Sequence, residues 1–368
     1  MKNNVVAKAL ACGALLMVLA ALRPALARAV VVATPVPPYS LSTFAISKNG
    51  YSKPDSITFS RSNVFVGYGN GGKPDGSGGA TSTIVKYKMD GTVVKTFTVV
   101  GHNDGLRFNR ETGDLWALQN EDGNSTLVII EPSSGKQKTF TLGTGPHGGG
   151  YDDLVFDGES VFITASAPTL VTNTAPAVVS LKLKGTKVKL TGVINGNASA
   201  TDVTTGSAVT LNLQDPDSMI RDPFGELVLT SQADGELVIV QHPGRKCQKV
   251  FVVPLTSTAG GPTVGNTTAD DTVFADAAQG ELLVADKNGE KVYAITAPYF
   301  APGAAYTAVV ATATPGGSTV AAFVGRTDLT TGFITPIVNG LLNPGGMAFI
   351  PAEHDVDLSP VAGGEECP

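Results

Sequence analysis

The sequence predicts an all-β protein, a six-bladed β-propeller in which each blade is an antiparallel sheet of four strands. Three observations predict it. Glycine and proline account for 43 and 23 of the 368 residues, charged residues make up only 16%, and one strand pattern recurs through the chain. So many chain-breaking residues disfavour long helices. A hydrophobic content of 42% is in turn too high for a disordered chain.

The recurring pattern begins with an acidic residue and a short apolar run, which ends in phenylalanine in most copies. A polar turn, usually with glycine, leads to a second apolar run, and two more runs form a second hairpin. The fourth copy lacks the phenylalanine and the sixth lacks the acid. The copies begin at Asp55, Asp104, Asp152, Asp217, Asp270 and Gly345. Four short strands in about 50 residues are typical of a propeller blade.

The spacing of the copies predicts how the ring is completed. Six copies predict six blades, with a C-terminal strand at 347–350 pairing with N-terminal strands within 30–46 to close the ring. Two spacings are longer than the others, and we expect insertions near 195–206 and within 298–318 to account for them. A seventh blade is the alternative, because the last spacing is long enough to contain one.

The first 29 residues have the features of a cleaved signal peptide. Lys2 and Lys8 precede an apolar run at 9–22, and a small-x-small motif ends at Ala29. The alternative is an uncleaved anchor, but the run is shorter than the roughly 20 residues that span a bilayer. We therefore expect a periplasmic or secreted protein that is not an integral membrane protein. Its propeller domain would occupy 30–353, followed by a flexible tail at 354–368.

Charge and cysteine content narrow the function classes further. The formal net charge is −6, and removal of the four basic residues of the signal peptide makes it −10. Nucleic-acid binding requires a basic surface and is therefore not expected. Cys247 and Cys367 remain after cleavage, and an oxidising compartment would allow them to pair. Two free thiols are the alternative.

One segment carries a resemblance to a known family. Residues 283–293 read LVADKNGEKVY, which resembles the strand–turn–strand unit of NHL-repeat propellers. The wider pattern is similar to the superfamily that also holds the regucalcin/gluconolactonase-like proteins. The resemblance implies the propeller fold. The resemblance to regucalcin-like lactonases also implies a divalent metal held by a Glu, an Asn-Gly pair and an Asp. This sequence departs from that pattern, with Asp55 in place of the Glu and Asp217-Ser218 in place of the Asn-Gly pair.

The repeated acid is the strongest candidate for chemistry. First strands line the central channel of a propeller, so the acids at their starts should converge there. Carboxylate oxygens are the ligands that Ca²⁺ and similar divalent cations prefer. The candidate metal ligands are Asp55, Asp104, Asp152, Asp217 and Asp270. The alternative is structural, because an aspartate also commonly caps a tight turn.

Further candidates lie in loops expected at the same rim of the channel. His102 and His147 precede the second and third copies, and a histidine beside a carboxylate can act as an acid–base pair. Exposed loop histidines are the alternative. The candidate binding residues lie at a glycine-rich loop and at a later turn, and they are Tyr68, Asn70, Asn120 and Glu121.

These observations favour an exported binding protein whose partner is a small molecule, a glycan or another protein at the channel rim. A central divalent cation would be its cofactor. One alternative is a metal-dependent hydrolase, lactonase or lyase of the regucalcin/gluconolactonase-like type, with His102 or His147 as the base. A second alternative is a structural component of the envelope or the extracellular space.

Overall fold

The computed structural model describes residues 32–258, 264–265, 267–313 and 319–352, and all regular elements in these ranges are β-strands. None of the described residues belongs to a helix that could cross a membrane. The predicted signal peptide and the predicted tail lie outside the described residues. Their boundaries therefore stay predictions.

The strands are numbered in chain order. The first fourteen are β1 (Thr34–Pro35), β2 (Ser40–Ile46), β3 (Pro54–Phe59), β4 (Asn63–Tyr68), β5 (Thr81–Lys88), β6 (Val93–Val100), β7 (Asn103–Phe108), β8 (Leu115–Gln119), β9 (Thr126–Ile130), β10 (Gln137–Thr141), β11 (Leu154–Asp157), β12 (Ser160–Thr164), β13 (Pro176–Lys184) and β14 (Lys187–Asn195). The next eight are β15 (Ser199–Asp202), β16 (Ala208–Thr210), β17 (Pro216–Arg221), β18 (Leu227–Ser231), β19 (Glu236–Gln241), β20 (Lys249–Pro254), β21 (Thr256–Ser257) and β22 (Val264–Gly265). The last nine are β23 (Ala269–Phe274), β24 (Gly280–Asp286), β25 (Lys291–Thr296), β26 (Ala305–Val309), β27 (Thr312–Ala313), β28 (Thr319–Val320), β29 (Phe323–Thr327), β30 (Phe333–Asn339) and β31 (Pro344–Pro351).

Six four-stranded antiparallel sheets form a six-bladed propeller, as the sequence predicted. The first three blades are β3–β6, β7–β10 and β11–β14, each running in chain order from the channel outwards. The inner strands pack in a ring in the order β3, β7, β11, β17, β23 and β31, and β31 returns to β3. The seventh blade that the sequence left open is not formed by the described residues.

The fourth blade, β17–β20, is preceded by an extra hairpin at its outer edge. Strand β15 pairs in parallel with β20, and β16 pairs with β15. This hairpin accounts for the longer spacing between the third and fourth copies. It lies at the insertion predicted near 195–206.

The fifth and sixth blades are interleaved in sequence. The fifth blade consists of β23, β26, β29 and β30, with β1 and β21 added along β30. Between β23 and β26 the chain leaves this blade and contributes the β24–β25 hairpin to the sixth. There β24 pairs with β31 and β25 pairs with β2. The sixth blade is therefore assembled from three separate segments of the chain.

Two details of the prediction were wrong here. The run Leu282–Val284 was expected to follow Val273–Phe274 as the second strand of the same blade, but it pairs with β31, with Leu283 opposite Ala348. The last long spacing therefore contains the β24–β25 hairpin, and 298–318 contributes β26, a regular strand of the fifth blade. Both terminal regions enter the sixth blade as predicted, but β24 and β25 separate β2 from β31.

The blades pack through apolar clusters between neighbouring sheets, which fix the inner strands around the channel. Between the first two blades, Phe65, Ile84 and Leu106 are buried against one another. The inner strands approach so closely that a Cβ at Gly105 would lie 2.2 Å from the Asp152 carbonyl oxygen. Glycine at this position therefore permits the close approach of the second and third blades.

Candidate functional site

The acid of each repeat lies at one end of the channel, here called the entry end. In all five blades that carry it, the acid is at the start of the inner strand. Together these side chains line one chamber, here called the entry chamber, formed around Asp55, Asp104, Asp152, Asp217 and Asp270. The structure thus brings together the five aspartates that the sequence singled out. The chamber has a volume of only about 20 Å³, which is room for an ion or a water molecule.

A lysine that the sequence analysis missed supplies positive charge to this chamber. Lys287 Nζ lies 2.6 Å from Asp55 Oδ2, and the Asp55 side chain is only 3% exposed. Burial disfavours the charge of the ammonium group, but the attraction of Asp55, Asp104 and Asp270 raises the pKa of Lys287 well above its usual value. The ammonium group therefore stays charged and acts as a built-in counterion.

Lys287 belongs to the one blade whose inner strand carries no acid. In that blade Gly345 occupies the register, and a Cβ there would lie 3.1 Å from a carboxylate oxygen of both Asp55 and Asp270. The β24–β25 turn of the same blade carries Lys287. The sixth blade thus contributes a cation where the other five contribute an anion.

An amide neutralises a second part of the chamber. Gln232 Nε2 donates to Asp217 Oδ2 at 2.7 Å and to Asp270 Oδ2 at 3.1 Å. Burial raises the pKa of Asp270 to about 7. Burial, followed by repulsion from Asp152, raises the pKa of Asp217 well above its usual value. The Gln232 amide therefore bridges these two carboxyl groups.

Two groups of three metal-ligating side chains lie at the entry end of the channel, and they share Asp104. The first is Asp55, His102 and Asp104, and the second is Asp104, Glu121 and Asp152. Within each group the ligand atoms lie within 4.8 Å of one another. His102 Nε2 is 3.7 Å from Glu121 Oε2, which links the two groups. The loop before β7 and the turn after β8 position these side chains.

The pKa values of the carboxyl groups in this cluster are shifted in opposite directions. Burial, and then repulsion from Asp104, raises the pKa of both Glu121 and Asp152 well above the usual range. The pKa of Asp104 itself is lowered. Burial opposes this shift, but a hydrogen bond with Glu121 and the positive charge of Lys287 outweigh it. Asp104 is thus the group of this cluster whose charged form is favoured most.

Two buried polar atoms of this cluster have no hydrogen-bond partner among the described residues. They are His102 Nδ1 and Glu121 Oε2, and His102 is only 7% exposed. Burial lowers the pKa of His102, so its imidazole is neutral at pH 7 and can ligate a metal. Buried polar atoms without partners are costly. The donor set of three carboxyl groups and one imidazole fits a divalent cation.

His147 does not join this cluster. It is 1% exposed, its Nε2 lies 2.7 Å from the Gly150 carbonyl oxygen, and its ring packs edge-on against Tyr151. Burial lowers its pKa, and the only other contribution is that hydrogen bond. Neither histidine is the exposed loop residue considered as the alternative. His102 lies at the chamber, whereas His147 stabilises its own loop.

Of the four candidate binding residues, only Glu121 joins the cluster of ligating side chains around Asp104. Tyr68 is fully buried, and its hydroxyl lies 2.6 Å from that of Tyr87. Asn70 Oδ1 accepts a hydrogen bond from the Ser52 backbone N–H at 2.9 Å, and Asn70 Nδ2 donates to the Thr81 carbonyl oxygen at 3.0 Å. Asn120 Oδ1 accepts a hydrogen bond from the His102 backbone N–H at 2.9 Å, so Asn120 positions His102.

A simple positional signal could have found the residues that the sequence analysis missed. Gln232 and Lys287 each stand directly after the second strand of their blade, and Glu121 stands two residues after the corresponding strand. The turns that follow second strands all open at the entry end. Polar side chains at this position are therefore candidates for the chamber in any blade.

Cys247 lies outside the channel, in the connection between β19 and β20, where it is half-buried and disulfide-bonded. Its predicted partner, Cys367, lies outside the described residues. The Cys247–Cys367 pairing therefore stays a prediction.

Neither a protein-family model nor a curated protein matches this sequence. Among solved structures the chain is similar to the periplasmic gluconolactonase of Pseudomonas aeruginosa, with 13% identity, 81% of this chain and 88% of that chain covered, and a TM-score of 0.45. It is also similar to virginiamycin B lyase of Staphylococcus aureus, with 12% identity, coverage of 70% and 99%, and a TM-score of 0.39. A Bacteroides caccae protein of unknown function has 9% identity, coverage of 82% and 88%, and a TM-score of 0.48. Gluconolactonase-like propellers are thus among the similar structures, as the sequence predicted, and the resemblance concerns the fold.

Proposed function

We propose that this chain is an exported propeller that binds a small polar ligand at the entry end of its channel through a divalent cation. Asp104, Glu121, Asp152 and His102 would hold the cation. One observation carries the proposal: two groups of ligating side chains share Asp104, and their ligand atoms converge within 4.8 Å in each group.

The charge balance of the entry chamber supports a cation at this position. Lys287 already pairs with Asp55, and Gln232 bridges Asp217 and Asp270. The Asp104–Glu121–Asp152 group has no ion-paired lysine or arginine among the described residues. Carboxylates held this close repel one another when ionised. A divalent cation would remove this repulsion and satisfy the unpartnered atoms of His102 and Glu121.

The size of the chamber limits what can enter it. A volume of about 20 Å³ holds an ion but no organic molecule. A larger ligand would therefore bind at the rim and reach the cation with one oxygen atom. Hydroxyl, carbonyl and carboxylate groups provide such oxygens, so we infer a polar ligand such as a sugar, a hydroxy acid or an exposed loop of another protein.

Metal titration of the chain that begins at Val30 tests the proposal. The protein is treated with chelator, and Ca²⁺, Mg²⁺, Mn²⁺ and Zn²⁺ are added separately while the melting temperature and the heat of binding are measured. A cation present at 100 times its Kd should stabilise the fold by about 2.7 kcal/mol. If no cation binds or shifts the melting temperature, the proposal is wrong.

A matched pair of variants locates the cation. We expect Asp104→Asn and Glu121→Gln to weaken binding at least tenfold, since each removes a charged ligand. Asp217→Asn alters the same ring of aspartates but a carboxyl group that Gln232 already holds, so it should bind the cation within a factor of three of the wild type. Equal losses in Asp104→Asn and Asp217→Asn would contradict the assignment.

Hydrolysis of a lactone or ester is the second candidate, and one observation favours it. His102 is neutral, its Nδ1 has no partner among the described residues, and it belongs to the same group as Asp104. Such an imidazole could accept a proton from water if Asp104, Glu121 and Asp152 held the cation without it. Turnover of lactone substrates by the metal-loaded wild type, abolished in a folded His102→Gln variant, would establish an enzyme. Absence of turnover with intact ligand binding would favour the binding protein.

Export is tested separately, by sequencing the N-terminus of the protein recovered from the extracytoplasmic fraction. We expect it to begin at Val30. Recovery of the uncleaved chain from the cytoplasm would contradict export, and it would leave the cation site unaffected.

A further inference from the structure

The phenylalanine that ends the first run of the repeat has no role in the proposed function. Four residues after the register of the acid, it lies near the end of the inner strand in every blade except the fourth, where Arg221 takes its place. These side chains lie at the end of the channel opposite the entry chamber and line one cavity, here called the exit cavity, which contains Phe59, Phe108, Phe156, Phe274 and Phe349.

The exit cavity is separated from the entry chamber by an arginine. Arg107 extends from the second blade, and its guanidinium donates to the Asp153 carboxylate of the third blade. It also donates to the Met219 carbonyl oxygen of the fourth blade at 3.0 Å. Arg107 lines both spaces and its hydrogen bonds cross between blades. A ligand could therefore bind in the exit cavity without an ion in the entry chamber.

The size and lining of the exit cavity fit an organic ligand. Its volume is about 600 Å³, within the range of roughly 300–1,000 Å³ typical of small-molecule sites. Besides the phenylalanines, apolar side chains from four blades form its wall, including Val155, Ile220, Val273, Met347 and Ala348. Water in such a space gains few hydrogen bonds, so an apolar molecule would displace it favourably.

One cationic side chain of the wall is left without a partner. Arg110 lies over the Phe59 ring at 5.1 Å, and among the described residues it makes no hydrogen bond or ion pair. The Asp276 carboxyl group of the fifth blade attracts the Arg110 guanidinium electrostatically, and Arg61 repels it. Arg221, in contrast, is held by Asp157 at 2.6 Å. Arg110 is therefore the group available to bind an anion.

We propose that the exit cavity binds an amphipathic anion, with its apolar or aromatic body against the phenylalanines and its carboxylate-like group at Arg110. Guanidinium groups bind carboxylates through paired, charge-assisted hydrogen bonds. Asp276 Oδ1, which is buried and has no hydrogen-bond partner among the described residues, offers an acceptor for a hydroxyl group of the ligand. This site is independent of the proposed cation site.

Two fluorescent probes of similar ring structure but different charge test the proposal. 1-Anilinonaphthalene-8-sulfonate is an anion, and N-phenyl-1-naphthylamine is its neutral counterpart. We expect both to bind the wild-type chain with increased fluorescence. Ala348→Trp adds a large ring at a residue that lines the cavity and should weaken both probes at least tenfold. Ala208→Trp, on the exposed hairpin strand β16, is the matched control and should change neither.

Arg110→Gln separates the anion site from general apolar binding. Because the Arg110 side chain is exposed, the variant should fold normally. We expect it to bind the anionic probe about tenfold more weakly and the neutral probe within a factor of two of the wild type. Arg110→Gln therefore tests the proposal even if Ala348→Trp does not fold. Naphthalene-2-carboxylate should displace both probes.

Two results would overturn the proposal: unchanged affinity for the anionic probe in Arg110→Gln, or unchanged affinity for both probes in a folded Ala348→Trp variant. Asp104→Asn distinguishes the two sites. It should abolish cation binding and leave both probes bound, so failure of the cation site would not count against the exit cavity.

Discussion

Replacement of Lys287 by methionine tests whether the sixth blade supplies the counterion of the entry chamber. The change keeps an unbranched apolar stem and removes the ammonium group that lies 2.6 Å from Asp55 Oδ2. Asp55 is buried, so it would then have to remain protonated or remain charged without its partner. Both outcomes destabilise the folded state relative to the unfolded chain.

The magnitude follows from the exposure of the two side chains. Loss of one member of a fully buried ion pair costs about 3–5 kcal/mol. The Asp55 side chain is 3% exposed and that of Lys287 is 26% exposed, so solvent screens part of the pair. We therefore expect a loss near the lower limit, about 3 kcal/mol. At about 2 °C per kcal/mol for a domain of this size, the melting temperature should fall by roughly 6 °C.

The assay is urea unfolding in the presence of chelator, so that no added cation replaces the lysine. The matched control is Lys53→Met. Lys53 pairs with Glu290 at 3.3 Å, but these side chains are 37% and 35% exposed. Exposed pairs contribute less than about 1 kcal/mol. The double variant Asp55→Asn/Lys287→Met removes both charges and should recover most of the loss.

Two results would refute this reasoning. One is a loss in Lys287→Met no larger than that in Lys53→Met. The other is strict additivity of Asp55→Asn and Lys287→Met in the double variant, since residues that interact show a coupling energy. Either result would mean that the ammonium group does not stabilise the ring of aspartates.

Three further predictions concern packing and pH. Gly105→Ala should destabilise the fold by about 1–3 kcal/mol, since its Cβ would lie 2.2 Å from the Asp152 carbonyl oxygen; unfolding no different from wild type would contradict this. Leu106→Ala, at a side chain with 0% exposure, should cost about 2–5 kcal/mol in urea unfolding, and a loss below 1 kcal/mol would refute tight packing there. Burial raises the pKa of Glu236 to about 7, above the unfolded value of about 4.3, so the folded state binds this proton more tightly. Stability should then fall as pH rises through that window, and Glu236→Gln should be more stable than wild type at pH 8 with little difference at pH 4.

Much of the architecture could be predicted because it depends on local, repeated signals. The apolar runs, the glycine-bearing turns and the acid at a fixed register indicated strands, hairpins and a channel. An insertion near 195–206 was expected because the spacing was long, but not that it forms a hairpin paired with β20. The pairing of β24 was not predictable in this way, because an apolar second strand has the same pattern whichever inner strand it pairs with.

The candidate site likewise contains residues that could be predicted from the sequence and residues that could not. The five aspartates could be placed in one chamber from their register alone, since equivalent positions of a repeat lie at equivalent places in a ring. The positive charge that balances the aspartates could not be placed from the sequence. Lys287 lies 232 positions after Asp55 in the chain. It reaches the chamber because the β24–β25 hairpin belongs to the sixth blade, where β24 pairs with β31.

The sequence by itself therefore determined the repeat, the strands and the two fixed registers, acidic at one end of the channel and phenylalanine at the other. Only the tertiary structure decided which strands share the last two blades, that Lys287 and Gln232 hold part of the acidic ring, and that His102 and Glu121 join Asp104. The physical reason is that strand patterns arise from interactions between near neighbours in the chain. Counterions and ligands are selected by distances of a few ångströms between residues that are far apart in sequence.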